Sequence, residues 1–184
     1  MARIWVDVES TGLDPEHDHL LELAVVATEE TAPGYVEIAS QSWVIKPAGW
    51  DAAAWSQTVD PHVLEMHTKS GLWAEVADGV TLEDAERYLC KFLKFFGNPK
   101  PGAAPIGGSS AHFDARFLEY HMPTARRYFN HRCMDASSIR QFLRDLGVDL
   151  PRSDDPAHRA LADVRHSIQV CRDAGRYFNR ALLV

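Results

Sequence analysis

Hydrophobic residues first recur along the chain in three runs that are typical of β-strands. The runs cover 2–8, 21–28 and 35–46, and they are rich in Val, Ile, Leu and Trp. The turn-forming sequence TGLDPEHD separates the first run from the second. Three consecutive strands at the start of the chain predict an antiparallel meander.

Helical periodicity follows these strands. Residues 59–67 predict a short helix, and residues 81–96 have the apolar spacing of a strongly amphipathic helix. Thr81 is placed to cap the second helix, with Asp84 three residues later. The chain therefore changes from the period of a strand to that of a helix after the meander.

The second half of the chain alternates short strands with helices. Strands are predicted around 104–108 and 131–135. The other predicted segments are a Pro- and Gly-rich loop at 97–105, a helix from Ala111 to the proline at 123, a helix at 136–146, a polar loop at 147–157 and a helix at about 158–180. We interpret 97–105 as a loop rather than a linker, and we expect one mixed α/β domain over residues 1–184.

The composition is typical of an ordinary globular domain. Hydrophobic residues make up 46% and charged residues 24% of the 184 residues, enough for one domain with its own core. No apolar run approaches the roughly 18 residues of a membrane-spanning helix, and no signal peptide is visible, so we expect no membrane partner. The cysteines Cys90, Cys133 and Cys171 are far apart in the sequence, which favours a reducing, cytoplasmic location over a disulfide framework.

The net charge argues against a protein that binds nucleic acid through bulk electrostatics. The formal charge is −7, from 26 acidic residues and 19 Lys and Arg residues. Nonspecific nucleic-acid binders depend on Lys and Arg to neutralise phosphates. Any role in nucleic-acid chemistry must therefore depend on a local site, with metal ions to offset its negative charge.

Two acids interrupt the first hydrophobic strand. Asp7 and Glu9 are two residues apart, so their side chains point to the same face of the strand. Trp5 shares that face, whereas Ile4, Val6 and Val8 lie on the other. A solvent-facing edge strand is one explanation for such a pair, and a functional site is the other.

Three further residues are candidates for the same site. Asp114 follows the start of a predicted helix, and His158 and Asp163 are five residues apart at the start of the last one. His158 and Asp163 can face the same way if the chain bends as it enters the helix. Each residue alone has an ordinary explanation: a first-turn acid favoured by the helix dipole for Asp114, and solvent-facing polar positions for the other two.

Taken together, the four acids and the histidine indicate metal chemistry. Four carboxylates that converge without a cation repel one another and take up protons. Hard oxygen ligands suit Mg²⁺ and Mn²⁺, and two such ions about 3.5–4 Å apart can clamp a scissile phosphate. A histidine titrates near neutral pH and can accept the proton of an attacking water.

The same segments resemble the DEDD exonucleases that use a histidine base, within the ribonuclease H-like superfamily, and most resemble the oligoribonucleases. The similarity extends from residue 3 to about residue 178. A D-x-E motif alone is weak, but the ordered set is specific. The similar segments are WVDVESTGLDPEHDHLLELAVV, HTKSGL at 67–72, GGSSAHFDARFLEYHMP, RCMDASSIRQF and HRALADVRHSI.

The resemblance implies a ribonuclease H-like α/β fold in which a central, mixed five-stranded sheet is flanked by helices. It also implies a 3′-to-5′ exonuclease with two divalent ions, Mg²⁺ or Mn²⁺, and His158 as the general base. The implied metal ligands and catalytic acids are Asp7, Glu9, Asp114 and Asp163.

The resemblance further implies residues that bind substrate. Leu13 corresponds to a leucine that separates the terminal bases, and Ser110, Arg132 and Ser137 correspond to positions that hold the 5′ phosphate of a very short RNA. His67 and His131 complete this implied set. A guanidinium suits phosphate. Two of these residues have structural alternatives: Leu13 can be a turn leucine that covers the core, and Ser137 can be a helix N-cap.

The sequence departs from the oligoribonuclease pattern at three positions. His62 stands where a tryptophan is usual, and His131 stands where a tyrosine contributed by the partner subunit is usual. Ser109 replaces an asparagine. Imidazole offers less surface for base stacking than the larger rings, so these changes affect the expected substrate length and the shared dimer site rather than the metal chemistry.

We therefore expect a 3′-to-5′ exoribonuclease that hydrolyses short single-stranded RNA to nucleoside 5′-monophosphates. The resemblance implies a homodimer. One alternative is a DNA-directed exonuclease of the proofreading type, which uses the same five residues. A second alternative is a non-catalytic nucleic-acid-binding relative, and the intact set of four acids and one histidine argues against it.

Overall fold

The chain opens with an antiparallel meander of three strands. In the computed structural model, which describes residues 2–31, 34–97, 100–151 and 158–181, the strands are β1 (Arg3–Ser10), β2 (Leu20–Thr31) and β3 (Gly34–Lys46). Asp7 pairs with Ala24, and Glu9 pairs with Glu22. The predicted meander is confirmed, and β1 ends at the acids that interrupt its hydrophobic pattern.

The remaining elements alternate helices with short strands. They are α1 (Ala52–Trp55), α2 (Pro61–Lys69), α3 (Leu72–Glu75), a 3-10 turn at Val76–Asp78, β4 (Val80–Thr81), α4 (Leu82–Phe96), β5 (Ala104–Gly108), α5 (Ala111–His121), α6 (Pro123–Arg126), β6 (Phe129–Asp135), α7 (Ala136–Asp145) and α8 (Ala160–Ala181). The predicted elements are present, with starts and ends that differ from the predictions by about two residues. Part of the predicted loop at 147–157, residues 152–157, lies outside the described residues.

Local capping explains where several helices begin. The side chain of Thr81 accepts a hydrogen bond from the Asp84 N–H, so the predicted cap of α4 is confirmed. Helix α2 begins at Pro61 rather than at residue 59, because the Asp60 side chain caps it and proline is favoured at the first helical position. Helix α8 begins at Ala160, after a left-handed backbone at His158 with a φ of +44°.

Within the described residues the sheet has six strands rather than the expected five. Their order is β4-β3-β2-β1-β5-β6. The added strand β4 pairs in parallel with the end of β3, joining Ile45 to Val80 and Lys46 to Thr81. Two residues are too few to show an alternating pattern, so this strand is defined only by its tertiary pairing.

Strand β1 lies inside the sheet, between β2 and β5, and both of its faces are covered. On one face Ile4, Val6 and Val8 pack in a cluster with side chains from α4 and α5. On the other face Trp5 packs with residues of α8, including Val164 and Ile168. The edge-strand explanation of the acid pair is therefore wrong. In the described part of the chain, no helix combines the length and hydrophobicity that crossing a membrane requires.

Gly107 of β5 provides space for the buried indole of Trp5. A Cβ atom at Gly107 would lie 2.6 Å from Cε3 of Trp5. The Trp5 side chain is held in place, since its indole N–H donates to Thr28 Oγ1 at 2.9 Å. We expect Gly107→Ala to lower the free energy of unfolding by about 1–3 kcal/mol through overpacking, as measured by urea unfolding.

A second background tests this explanation. In a Trp5→Leu protein the ring atoms are absent, so Gly107→Ala should cost less there than in the wild type. Equal costs in the two backgrounds would show that the indole is not the cause.

Candidate active site

Three carboxylates meet at the end of β1. Asp7 and Glu9 project from β1, and Asp163 projects from the first turn of α8, which packs on the same face of the sheet as Trp5. One carboxylate oxygen from each of the three lies within 4.8 Å of the others. We call Asp7, Glu9 and Asp163 the acid cluster. It has the spacing and the ligand type that a hard divalent cation requires.

Asp114 adjoins the acid cluster from the opposite side of β1. Its Oδ1 accepts a hydrogen bond from the Val8 N–H at 3.0 Å, which fixes the carboxylate against the strand. Its Oδ2 is buried and has no hydrogen-bond partner among the described residues. A buried carboxylate oxygen without a donor is costly in a metal-free protein. This oxygen is therefore available as a further cation ligand.

The pKa values of these acids are raised, mainly because the carboxylates are buried. Burial, followed by the charges of Asp163 and Glu22, raises the pKa of Glu9 to about 8. Burial raises the pKa of Asp114 to about 8 as well, although the Val8 N–H acts in the other direction. Burial and the charge of Asp114 raise the pKa of Asp7 well above its usual range. A divalent cation would reverse this effect, because it favours the ionised ligands.

His158 lies beside Asp163, as the sequence predicts. Burial raises the pKa of Asp163, and the nearby imidazole of His158 acts in the opposite direction. His158 is half-buried and precedes α8 in a left-handed conformation that is uncommon for residues other than glycine. The bend that the five-residue spacing required is therefore made at His158 itself, before the helix begins.

An ion pair that the sequence reasoning missed fixes this bend. The guanidinium of Arg159 donates to both carboxylate oxygens of Glu22, at 3.0–3.3 Å, and to Glu75. The Ala160 N–H also donates to Glu22, at 2.9 Å. Glu22 is 2% exposed and lies opposite Glu9 in the sheet. We call Glu22, Arg159 and Glu75 the arginine clamp. A lone acid within the apolar run LLELAVV was the signal in the sequence that could have identified it.

His67 contacts both the end of β1 and Glu9 of the acid cluster. Its side chain is fully buried, its Nε2 lies 2.8 Å from the Ser10 carbonyl oxygen, and its Nδ1 lies 3.9 Å from Glu9 Oε2. Burial lowers the pKa of His67, so the neutral ring donates from Nε2 to Ser10 and turns Nδ1 toward Glu9. The structure thus shows a supporting contact, and the substrate-binding role of His67 stays a prediction.

Two of the residues predicted to hold a phosphate are brought together. The Ser110 N–H donates to Ser137 Oγ at 3.1 Å and to Asp135 Oδ1 at 3.2 Å. The alternative in which Ser137 caps α7 is wrong, because the Asp135 side chain is the cap. Asp135 adds a negative charge between the two serines, which opposes anion binding. Arg132, the third residue predicted to hold the phosphate, is exposed on β6, as is His131, which is predicted to bind substrate.

Leu13 is presented to solvent by a rigid loop. The Asp18 carboxylate accepts hydrogen bonds from Thr11 Oγ1 and from the Asp14 N–H, each at 2.9 Å. A Cβ at Gly12 would lie 2.4 Å from that carboxylate, so a larger residue at this position would displace the Asp18 side chain and its hydrogen bonds. Leu13 is 77% exposed, so the alternative in which it covers the core is wrong. An exposed leucine on an ordered loop is instead available for a ligand.

The chain matches a known family over most of its length. Residues 4–171 match the family described as Exonuclease. An oligoribonuclease from Photobacterium profundum is 36% identical, with 92% of this chain and 91% of that protein covered. An oligoribonuclease from Cutibacterium acnes is 33% identical, with 90% of this chain and 80% of that protein covered.

Solved structures share the fold at lower identity. Exonuclease I of E. coli in complex with a dT13 oligonucleotide is similar with a TM-score of 0.65 and 16% identity, covering 97% of this chain and 43% of that one. Exonuclease I of Methylocaldum szegediense is similar with a TM-score of 0.60 and 17% identity, and the match covers 93% of this chain and 39% of that one. The chain spans less than half of the length of these proteins. Their similarity confirms the expected ribonuclease H-like fold.

The arginine clamp should contribute to stability mainly through its buried carboxylate. Arg159→Met would leave Glu22 buried without a cation. We expect the free energy of unfolding to fall by about 2–4 kcal/mol. This loss is somewhat smaller than is usual for a fully buried ion pair, because the Arg159 side chain is 28% exposed. Urea unfolding measures this loss. Glu75→Gln is the matched control, since Glu75 is 50% exposed and should cost no more than about 1 kcal/mol.

Glu9→Gln should remove a pH-dependent penalty from the metal-free protein. Because the pKa of Glu9 rises from 4.5 to about 8 on folding, the folded state binds this proton more tightly than the unfolded chain. The resulting stabilisation is complete below the unfolded pKa and is lost as the pH rises through the folded pKa. Relative to the variant, the wild type should lose on the order of a few kcal/mol across this window.

Urea unfolding in the presence of a chelator, on both sides of that pH window, measures the difference between wild type and variant. Groups that titrate equally in both proteins cancel. Added Mn²⁺ should stabilise the wild type more than the variant at the alkaline end. Parallel pH profiles of the two proteins would contradict the raised pKa.

Proposed function

The chain belongs to the exonuclease family, and we propose that it is a metal-dependent 3′-to-5′ exoribonuclease acting on short single-stranded RNA. The observation that carries the proposal is the convergence of Asp7, Glu9 and Asp163, whose oxygens lie within 4.8 Å of one another, with Asp114 and His158 beside them. The acids come from β1, α5 and α8, and a role confined to stability would not bury them together.

Relatives named oligoribonuclease support RNA as the substrate. They are 33–37% identical, and the chain covers 78–91% of their lengths. The net charge of −7 fits a short substrate, because such a protein does not attract long polyanions from a distance. The exonuclease I structures share only the fold at this identity and do not bear on the choice between RNA and DNA.

The donor set fits two divalent ions, Mg²⁺ or Mn²⁺. Asp7, Glu9 and Asp163 would hold them, and Asp114 would add its unpartnered Oδ2. When bound, such ions stabilise the charge that develops on the attacking and leaving oxygens of a phosphodiester. The rigid strand β1 keeps Asp7 and Glu9 in register for this task.

His158 would remove the proton from the attacking water. The water oxygen forms a bond to the terminal phosphorus, and the bond from that phosphorus to the 3′ oxygen of the preceding nucleotide breaks. The leaving oxygen takes up a proton, and a nucleoside 5′-monophosphate is released. The arginine clamp would act indirectly, by fixing the backbone next to His158.

The wider organisation is proposed on the resemblance. Residues 1–184 would form a single exonuclease domain, in the cytoplasm, and two chains would form a homodimer. In this arrangement His131 and Arg132, which are exposed on β6, would face the partner and the substrate phosphate respectively. Ser110 and Ser137 would contact the same phosphate, and Leu13 would contact the terminal base.

Removing one cluster acid should abolish hydrolysis. In Asp163→Asn the site loses a charged ligand, so the release of nucleoside 5′-monophosphate from a short RNA in Mn²⁺ should fall to background. Asp173→Asn is a matched control on the same helix, since Asp173 bonds only to Gln169 and Arg176 among the described residues. Activity that survives Asp163→Asn would exclude the proposed site.

His158→Gln should separate catalysis from metal binding. Loss of the base should lower the rate by about 10²-fold or more, while calorimetric titration with Mn²⁺ should give an unchanged affinity. A variant that loses Mn²⁺ binding as well would identify His158 as a ligand rather than as the base.

Matched RNA and DNA oligomers of about two to twenty nucleotides test the substrate. The proposal predicts faster release of nucleotides from RNA than from DNA, with the fastest turnover on the shortest oligomers. A preference for DNA, or for the longest oligomers, would replace the proposed function with a DNA-directed exonuclease.

A further inference from the structure

A pocket of about 830 Å³ lies between the loop that follows β1 and helix α2. This volume is within the range of about 300–1,000 Å³ that is usual for sites that bind small ligands. Three segments form its walls: the loop that follows β1, the helix α1 with the residues after it, and α2. The residues that line it include Thr11, Leu13, Trp55, His62, Val63 and Met66.

Two elements connect the wall of the pocket with the acid cluster. Thr11 lines the pocket and is two residues beyond Glu9 on the same chain segment. Val63 and Met66 line it from α2, and the next residue of that helix, His67, lies 3.9 Å from Glu9 Oε2. A nucleotide whose phosphate is at the acid cluster would therefore bring its base to this pocket.

Trp55 is the largest side chain in the pocket wall, and it packs against Trp50 and against His19, which also lines the pocket. Its ring centroid lies 5.0 Å from that of Trp50 and 4.7 Å from that of His19. Trp50 packs in turn on Trp73 at 4.7 Å, within the hydrophobic cluster of Leu21, Leu72 and Val76. This series of aromatic rings connects Trp55 to buried residues and holds the indole in place.

The backbone around Trp55 is also ordered. The Asp51 side chain caps α1 by accepting from the Ala53 and Ala54 N–H groups. The Trp55 carbonyl oxygen accepts hydrogen bonds from the N–H of Thr58 and from the N–H of Val59, both at 3.0 Å. A preorganised ring of this kind binds a planar ligand without an additional cost of ordering.

We propose that Trp55 is the aromatic surface on which the 3′-terminal base of the substrate stacks, with exposed Leu13 lining the same pocket. This inference depends on the proposed function, because it takes the ligand to be a single-stranded nucleic acid. Stacking of a base on an aromatic ring is tolerant of sequence and strengthens binding by about 10- to 100-fold. His62 is exposed on the pocket wall and has a smaller ring, so Trp55 provides the larger stacking surface.

Equilibrium binding tests the inference without turnover. The probes are two 5′-fluorescein RNA pentamers, one intact and one with an abasic 3′-terminal ribose, and anisotropy is measured in Ca²⁺ with no Mg²⁺ or Mn²⁺ present. The wild type should bind the intact pentamer about tenfold or more tightly than the abasic one. Trp55→Leu, which keeps apolar bulk but has no ring, should reduce this ratio nearly to one. Trp55→Phe should retain most of it.

Phe95→Ala is the control for the loss of an aromatic side chain, because Phe95 is 80% exposed on α4 and does not line the pocket. The affinity of Phe95→Ala for the intact pentamer relative to the abasic pentamer should equal that of the wild type. A wild type that does not discriminate between the pentamers, or a Trp55→Leu protein that still does, overturns the inference. Failure of the proposed hydrolysis is seen separately, as RNA that stays intact in Mn²⁺ while base-dependent binding persists.

Discussion

The enclosure of several carboxylates within a small, partly or fully buried region is the constraint on which the rest of this structure depends. Asp7 and Glu9 lie on a strand that is covered on both faces, and Asp114 and Asp163 approach it from two different helices. Because burial raises the pKa of each of these acids, the site is strained without a cation. Tertiary packing holds the acids in this arrangement, and the fold thereby creates the demand for metal that its chemistry requires.

The groups around the acids limit this strain without neutralising the site. The Val8 N–H satisfies one oxygen of Asp114, and His67 fixes the backbone of Ser10 next to Glu9. Arg159 forms its ion pairs with Glu22 and Glu75, and its charge also opposes the rise in the pKa of Glu9. These ion pairs stabilise the entry to α8, and no oxygen of the acid cluster is used in them.

The same segments connect chemistry with substrate recognition. The loop after β1 continues from Glu9 to Leu13, and α2 carries both His67 and part of the pocket wall. A base in the pocket and a phosphate at the acid cluster would therefore be positioned by shared elements.

The sequence by itself determined the local elements and a set of candidate residues. It predicted the strand at 104–108 and the helix capped by Thr81, and the ordered motifs selected Asp7, Glu9, Asp114, His158 and Asp163 as candidates, of which the structure groups Asp7, Glu9 and Asp163. Only the tertiary structure decided that β1 is an inner strand, that Val80–Thr81 forms a sixth strand, and that Trp55 faces the pocket near Glu9. The contact between Glu22 and Arg159 joins residues 137 positions apart. Period and capping are properties of neighbouring residues, whereas such contacts depend on how distant segments pack. The lone acid in LLELAVV could therefore indicate a buried charge, but not that its partner is Arg159.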